Sequence, residues 1–270
     1  MKTIRQKLEI CKAVAVVTYK EWSAYRTHSL VSVFVGPVYF LVQYYIWSAV
    51  YGGSQSLAGM ELSQMIRYFG AVALIGYLTM DFADWNLQML VRTGKFLTFT
   101  LRPVHHRFFA LSQKVGHRIL GFLFEFLPCL CIFIFLFRLD MVPRQPVWAV
   151  ISVVLAFFMN FYVNYCIGMC AFYLVQANGI RVFYQLLSQV FSGALIPLSF
   201  FPSFLSRIMM FLPFPYTSYI PAMVWTGNGF VGELTVFQAV CCQAAAVVVM
   251  AMLSEVIYRC SVKRFTAVGA

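Results

Sequence analysis

Residues 30–51, LVSVFVGPVYFLVQYYIWSAVY, make a 22-residue run without a single Asp, Glu, Lys or Arg. Wound as a helix at about 1.5 Å per residue, the run covers about 33 Å, enough to cross a hydrocarbon core of about 30 Å. It predicts a membrane span. Gly36 and Pro37 predict a bend within it, tolerable where neighbouring helices re-satisfy the backbone. Further apolar runs at 66–90, 119–137, 147–175, 182–201 and 236–258 predict five more spans. The expected fold is therefore an all-α integral membrane protein with six transmembrane helices, in one domain over residues 1–270.

Composition agrees with that reading. Charged residues make up 11% of the chain, against about 25% in an ordinary soluble domain. With 61% hydrophobic residues, a soluble fold is excluded. The net charge of +11 does not point to nucleic acid, because phosphate binding wants a continuous basic face and the basic residues here flank apolar runs. Six spans put both termini on one side. That side then holds sixteen of the twenty Lys and Arg, leaving Arg67, Arg138, Arg144 and Arg207 on the other. The positive-inside rule makes the richer side, with both termini, cytoplasmic.

The first 29 residues carry six Lys or Arg and lack the apolar core and cleavage site of a secretory signal. Ile4, Leu8, Cys11, Ala15, Thr18 and Trp22 alternate in spacings of four and three, which predicts a helix lying in the headgroup region. An irregular basic tail is the alternative. The eight cysteines include six inside apolar runs, with no CxxC pair or zinc-like spacing, so they read as packing residues. Between the fifth and sixth runs, residues 197–233 hold five of the ten prolines. Apolar pieces this short and interrupted do not span. They predict short helices at 202–233 that dip into the outer leaflet and roof a cavity, a plain surface loop being the alternative.

Residues 89–112, MLVRTGKFLTFTLRPVHHRFFALS, link the second and third runs and mix basic residues with aromatic and aliphatic ones. A basic loop with exposed apolar side chains wants a partner; the alternative is a loop anchored in lipid headgroups. Within the spans, Ser152, Ala156, Asn160, Asn164 and Gly168 recur every fourth residue, and Gln185, Ser188, Gln189, Ser192 and Gly193 share one side. Such residues permit close helix approach and interhelical hydrogen bonds. The competing expectation is that Asn160, Asn164, Gln185, Gln189 and Ser192 line a substrate path. Asp84, Gln88 and Arg92, four apart, predict local pairing. Glu125 lies deep in an apolar run and needs a partner, with Arg118 in reach, or else a role in gating or substrate contact.

Catalysis finds little support. His105, His106 and His117 have no HExxH pattern and no acid beside the first two, and no GxSxG elbow occurs. No GxxxxGK[ST] loop occurs either, so ATP would have to be bound elsewhere.

In VRTGKFLTFTLRPVHHRF (91–108), YKEWSAYRTHSL (19–30), SGALIPLSFFP (192–202) and PFPYTSYIPAMVWTG (213–227), the chain resembles the permease subunits of ABC transporters of the type-2 exporter superfamily. The resemblance covers nearly the whole chain, and residues 94–103 are its most distinctive part. It implies an N-terminal interfacial helix, six spans, a cytoplasmic coupling helix between spans two and three within the 91–114 loop, and re-entrant helices before span six. It also implies an ATPase subunit that binds ATP and Mg, a second permease protomer, membrane lipids around the bundle, and a place in the cytoplasmic membrane of a prokaryote. Carried onto this sequence, Arg92, Gly94, Lys95, Phe96, Leu97, Leu101, Arg102 and Pro103 form the coupling element, with Gly94 ending a helix at φ > 0 and the Phe and Leu side chains filling a partner's groove. The rivals are a self-sufficient secondary transporter or channel, which should carry repeats and midplane carboxylates, and a membrane-embedded hydrolase.

Overall fold

The computed structural model describes residues 4–23, 31–102, 104–174, 178–230, 232 and 234–264. Among these, four helices are long and apolar enough to cross a bilayer: Leu62–Arg92, His106–Leu136, Pro146–Phe172 and Val236–Val262. The two shortest, at 27 residues, rise about 40 Å. The other two predicted spans form shorter helices, for reasons that lie in their Gly and Pro residues.

Helix α1 (Ile4–Ser23) is followed by α2 (Val35–Tyr51). The helical run is interrupted at Val33–Phe34, just before Gly36 and Pro37, and Pro37 sits in the first turn of α2, where its missing N–H costs nothing. The Tyr77 hydroxyl takes the Gly36 N–H at 2.6 Å and shares its one O–H between the carbonyls of Ser32 and Val33, each at 2.8 Å, so the entry into α2 is hydrogen-bonded by a side chain. At 17 residues α2 covers about 26 Å. A two-residue hairpin, β1 (Ser56–Leu57) with β2 (Met60–Glu61), then leads into a capping box of Glu61 and Gln64 that starts α3 (Leu62–Thr79). Helix α3 is the centre of the bundle. Met65, Tyr68, Phe69, Leu74 and Ile75 are all at most 1% exposed, and it packs on α2 and on the later helices Pro146–Gly168 and Tyr219–Thr226.

The expected second span lies within Leu62–Arg92 but is interrupted near its end. Met80 is extended, Asp81 Oδ1 accepts the Ala83 N–H at 3.1 Å, and a new helix, α4 (Ala83–Arg92), begins. After a single turn, α5 (Leu97–Thr100), the long α6 runs over His106–Leu136. It starts thirteen residues before the predicted third span. Two stretches of α6, Phe122–Phe126 and Ile132–Leu136, widen into π-helix. Pro128 has no N–H to give the Phe124 carbonyl four residues back, and the Leu127 N–H reaches Phe122 instead.

Helix α7 (Pro146–Gly168, continued as a 3₁₀ turn to Phe172) lies against α11 (Val236–Val262). Gln243, fully buried, closes the contact: Ser152 Oγ donates to its Oε1 at 2.7 Å, while its Nε2 donates to the carbonyls of Ser152 and Tyr216 at 3.0 and 2.9 Å. Ala156 is fully buried, and Gly168 lies against Asp84 and Leu87. The four-residue stripe of α7 thus serves helix packing at Ser152, Ala156 and Gly168.

The predicted fifth span stops early. Helix α8 (Asn178–Phe191) has 14 residues, about 21 Å, and the chain then turns at Gly193, whose φ is +77° and whose carbonyl accepts the Tyr68 hydroxyl at 2.7 Å. Pro197 and a 3₁₀ turn over Leu198–Phe200 prevent any continuation. Two short helices follow, α9 (Ser203–Met209) and α10 (Tyr219–Thr226). Every residue of α10 is buried, so this part of the proline-rich segment belongs to the core.

Helix α1 packs along the first half of α6. Of its predicted apolar stripe, Ala15 and Thr18 are buried while Leu8 is exposed, and the contact closes at Gly116, where a Cβ would lie 2.4 Å from the Ala15 carbonyl oxygen. Gly116→Val is therefore expected to lift α1 off, costing about 1–3 kcal/mol by overpacking. Tryptic cleavage at Lys12 and Lys20 should quicken several-fold; unchanged cleavage would refute the contact.

Candidate functional site

Helix α4 ends because of Gly94. With φ at +69°, Gly94 donates its N–H to Val91 O at 3.1 Å, and the Phe96 N–H reaches Leu90 O at 3.0 Å. A residue with a Cβ would be strained at that turn. The next turn, α5, is held by its own hydroxyls: Thr98 Oγ1 donates to Lys95 O at 2.9 Å and Thr100 Oγ1 to Leu97 O at 2.7 Å.

Between these turns Phe96 points inward. It is 1% exposed and meets Phe99, His106 and Phe172 at centroid distances of 6.2, 5.3 and 4.9 Å. These contacts belong to a second apolar cluster with Leu87, Phe161, Tyr165 and Met169. His106 Nδ1 is 2.9 Å from the Tyr165 hydroxyl, which ties the start of α6 to α7. Phe96 was expected to fill a partner's groove; the chain's own core has already taken it up. Its place is that of an anchor.

What the anchor holds out is an apolar pair in a basic rim. Leu97 is 45% and Leu101 81% exposed. Arg92, Lys95 and Arg102 are exposed around them, and the Arg102 guanidinium stands 5.2 Å over the Phe99 ring. Pro103, the last residue of the expected element, lies outside the described residues. Beside the turn opens a cleft of about 620 Å³ lined by Trp85, Met89, Lys95, Phe99, Phe109 and Gln113. The loop proper is shorter than the predicted 91–114, because α6 has already begun at His106.

Behind the loop, buried charges brace α4. Asp84, 3% exposed, takes Arg181 of α8 at 2.7 Å, and Asp81 stands 3.7 Å from Lys114 Nζ, which also donates to Phe157 O at 2.7 Å. The local pairing predicted for Asp84 with Arg92 is not used. A buried carboxylate needs a cation within contact range, and Arg92 is exposed two turns away. Lys114 escaped the sequence reading altogether. Its spacing of four from Arg118, on a helix facing Asp81, was the available signal.

The six candidate path residues are spread over α6, α7 and α8 with the turn that follows it. Glu125, 7% exposed, accepts from Ser32 Oγ at 2.8 Å and lies 3.5 Å from Arg118. Arg118 also donates to Tyr77 O, so the expected pairing closes a ring of α2 entry, α3 and α6. Asn160 donates to Ala156 O at 3.3 Å on its own helix, and Asn164 is half-buried on the same helix. Gln185 and Gln189 are exposed on α8, whereas Ser192 is buried and accepts the Ala194 N–H at 3.3 Å. Among the described residues, no group of three or more His, Cys, Asp or Glu is placed to hold a metal ion. His105 lies 3.8 Å from Glu255; burial lowers its pKa, with Glu255 pulling the other way.

A family model described as ABC-2 family transporter protein matches residues 38–269, which takes in the loop, the Arg118–Glu125 pair and the proline-rich segment. No curated protein and no solved structure matches the chain.

Proposed function

The chain belongs to the ABC-2 family of transporter proteins, and from that premise we propose that it is the permease subunit of an ATP-driven exporter. A separate ATPase subunit, which binds ATP and Mg, docks on the turn after α4. The observation that carries this is the opposite placement of neighbouring side chains: Phe96 is locked inside while Leu97 and Leu101 stand out in a basic rim. Arg92, Lys95 and Arg102 meet acidic groups of the partner, and Gly94 sets the turn. An apolar pair in a polar rim is what a groove in a partner recognises.

Force on this turn reaches the bundle through Phe96 and the Asp84–Arg181 pair, so α4 and α8 move together. A second permease protomer covers α8, none of whose residues is buried in the single chain. The cargo passes between protomers, with Gln185, Gln189, Ser192, Asn160 and Asn164 as candidate lining; Glu125 serves as a brace that opens or closes with α6. The absence of charge from α7 and the small polar groups on α8 suit a hydrophobic or amphipathic cargo, such as a lipid, drug or peptide-like metabolite. Six membrane crossings put both termini in the cytoplasm of a prokaryotic cell.

In proteoliposomes holding the permease and its ATPase, ATP turnover should rise several-fold with a lipid-like or drug-like amphiphile and stay flat with charged polar solutes. Turnover indifferent to every lipid and drug would count against the reading.

A further inference from the structure

A cleft of about 650 Å³ opens between α1, the start of α6, α7 and the end of α11. One part of its wall is basic: Lys7, Arg107 and Arg259 against the single acid Glu255. The other part is apolar, with Ile10, Phe108, Leu111 and Tyr162. Arg107 is fixed in place, donating to Ala251 O at 2.7 Å and Ser254 Oγ at 2.8 Å, and standing 3.0 Å from Glu255. Arg259 Nε also bonds Glu255 at 2.8 Å. The cleft thus holds three cations and one carboxylate, and with Arg107 and Arg259 both on Glu255 two positive charges are left over.

The depth fits a membrane boundary. Glu255 lies seven residues before the end of α11 at Val262, about 10 Å along the helix, and about 5–10 Å is where headgroups give way to acyl chains. A water-filled cleft would gain nothing from its apolar wall, and an apolar molecule would leave the surplus charge uncompensated. Phosphodiester above and hydrocarbon below answers both.

We propose that this cleft is a binding site for one anionic glycerophospholipid of the leaflet on the side of the 91–105 loop. The phosphate sits among Lys7, Arg107 and Arg259, and an acyl chain lies over Ile10, Leu111 and Tyr162. Because Val104 and His105 also line the cleft, the lipid packs against the root of the docking loop and pins α1 to α6. This site stands whether or not an ATPase docks on the loop.

The test titrates phosphatidylglycerol, phosphatidylcholine and inorganic phosphate into the purified, delipidated full-length chain, reading lipid retention by native mass spectrometry and the thermal midpoint. The variants are Lys7→Gln with Arg259→Gln, both positions exposed, and Arg207→Gln on α9 as the control. Phosphatidylglycerol should bind at least ten-fold more tightly than phosphatidylcholine and raise the midpoint. The double variant should lose most of that preference while the control keeps it. Equal binding of the two lipids, a preference surviving in the double variant, or a midpoint rise fully reproduced by inorganic phosphate would each overturn the proposal.

Discussion

Replacing Leu97 and Leu101 together with Glu is expected to abolish ATP-driven transport and leave the bundle folded. Burying a Leu side chain is worth about 1.5–3 kcal/mol, so two in a partner's groove contribute about 3–6 kcal/mol. At about 1.4 kcal/mol per factor of ten, affinity for the ATPase subunit falls by roughly two to four powers of ten. The fold should be spared because Leu97 and Leu101 are 45% and 81% exposed. Phe96→Ala makes the contrasting case. That ring is fully enclosed, so its loss is expected to cost about 3–5 kcal/mol of stability, and docking would fail through a displaced turn. Co-purification of the ATPase together with the melting midpoint separates the two. If the double Glu variant retains the ATPase, the apolar pair is not the contact.

The second large effect lies in the buried ring. Arg118→Met should cost about 3–5 kcal/mol, since it leaves the Glu125 carboxylate enclosed with no cation. Removing the charge as well, in Arg118→Met with Glu125→Gln, should recover at least half of that loss, because the Gln carbonyl still accepts from Ser32 while no bare charge remains. Melting midpoints of the four members of this cycle give the coupling directly. A double variant no more stable than Arg118→Met alone would mean that Arg118 acts through Tyr77 and not through Glu125.

The long apolar helices were legible because a bilayer imposes a length that composition alone can meet. Residues 119–137, 147–175 and 236–258 read as spans, and each forms the greater part of a helix long enough to cross. Gly94 was legible too, because so few residues tolerate a positive φ. Other features depend on contacts between distant parts of the chain, which periodicity does not encode. The break at Met80–Phe82 follows from Asp81 bonding the Ala83 backbone and facing Lys114, and Asp84 pairs with Arg181 ninety-seven residues away. Phe96 and Leu97 are neighbours of equal apolarity in the sequence. Only the position of Phe172 and His106 decides that the first turns in and the second out. The early end of α8 had its signal in Gly193 and Pro197, which a count of apolar residues over 182–201 passes over.

A nucleotide-hydrolysing partner that takes hold of this chain at the turn bearing Leu101 would lie within reach of that side chain. A photo-reactive residue placed at position 101, in cells that also express the ATPase subunit, measures that contact directly. One dominant adduct is expected, formed with the ATPase on the cytoplasmic face and strengthened when ATP is trapped. An adduct confined to lipid, or a position 101 that reacts only with reagents from outside the cell, would rule out docking at this turn.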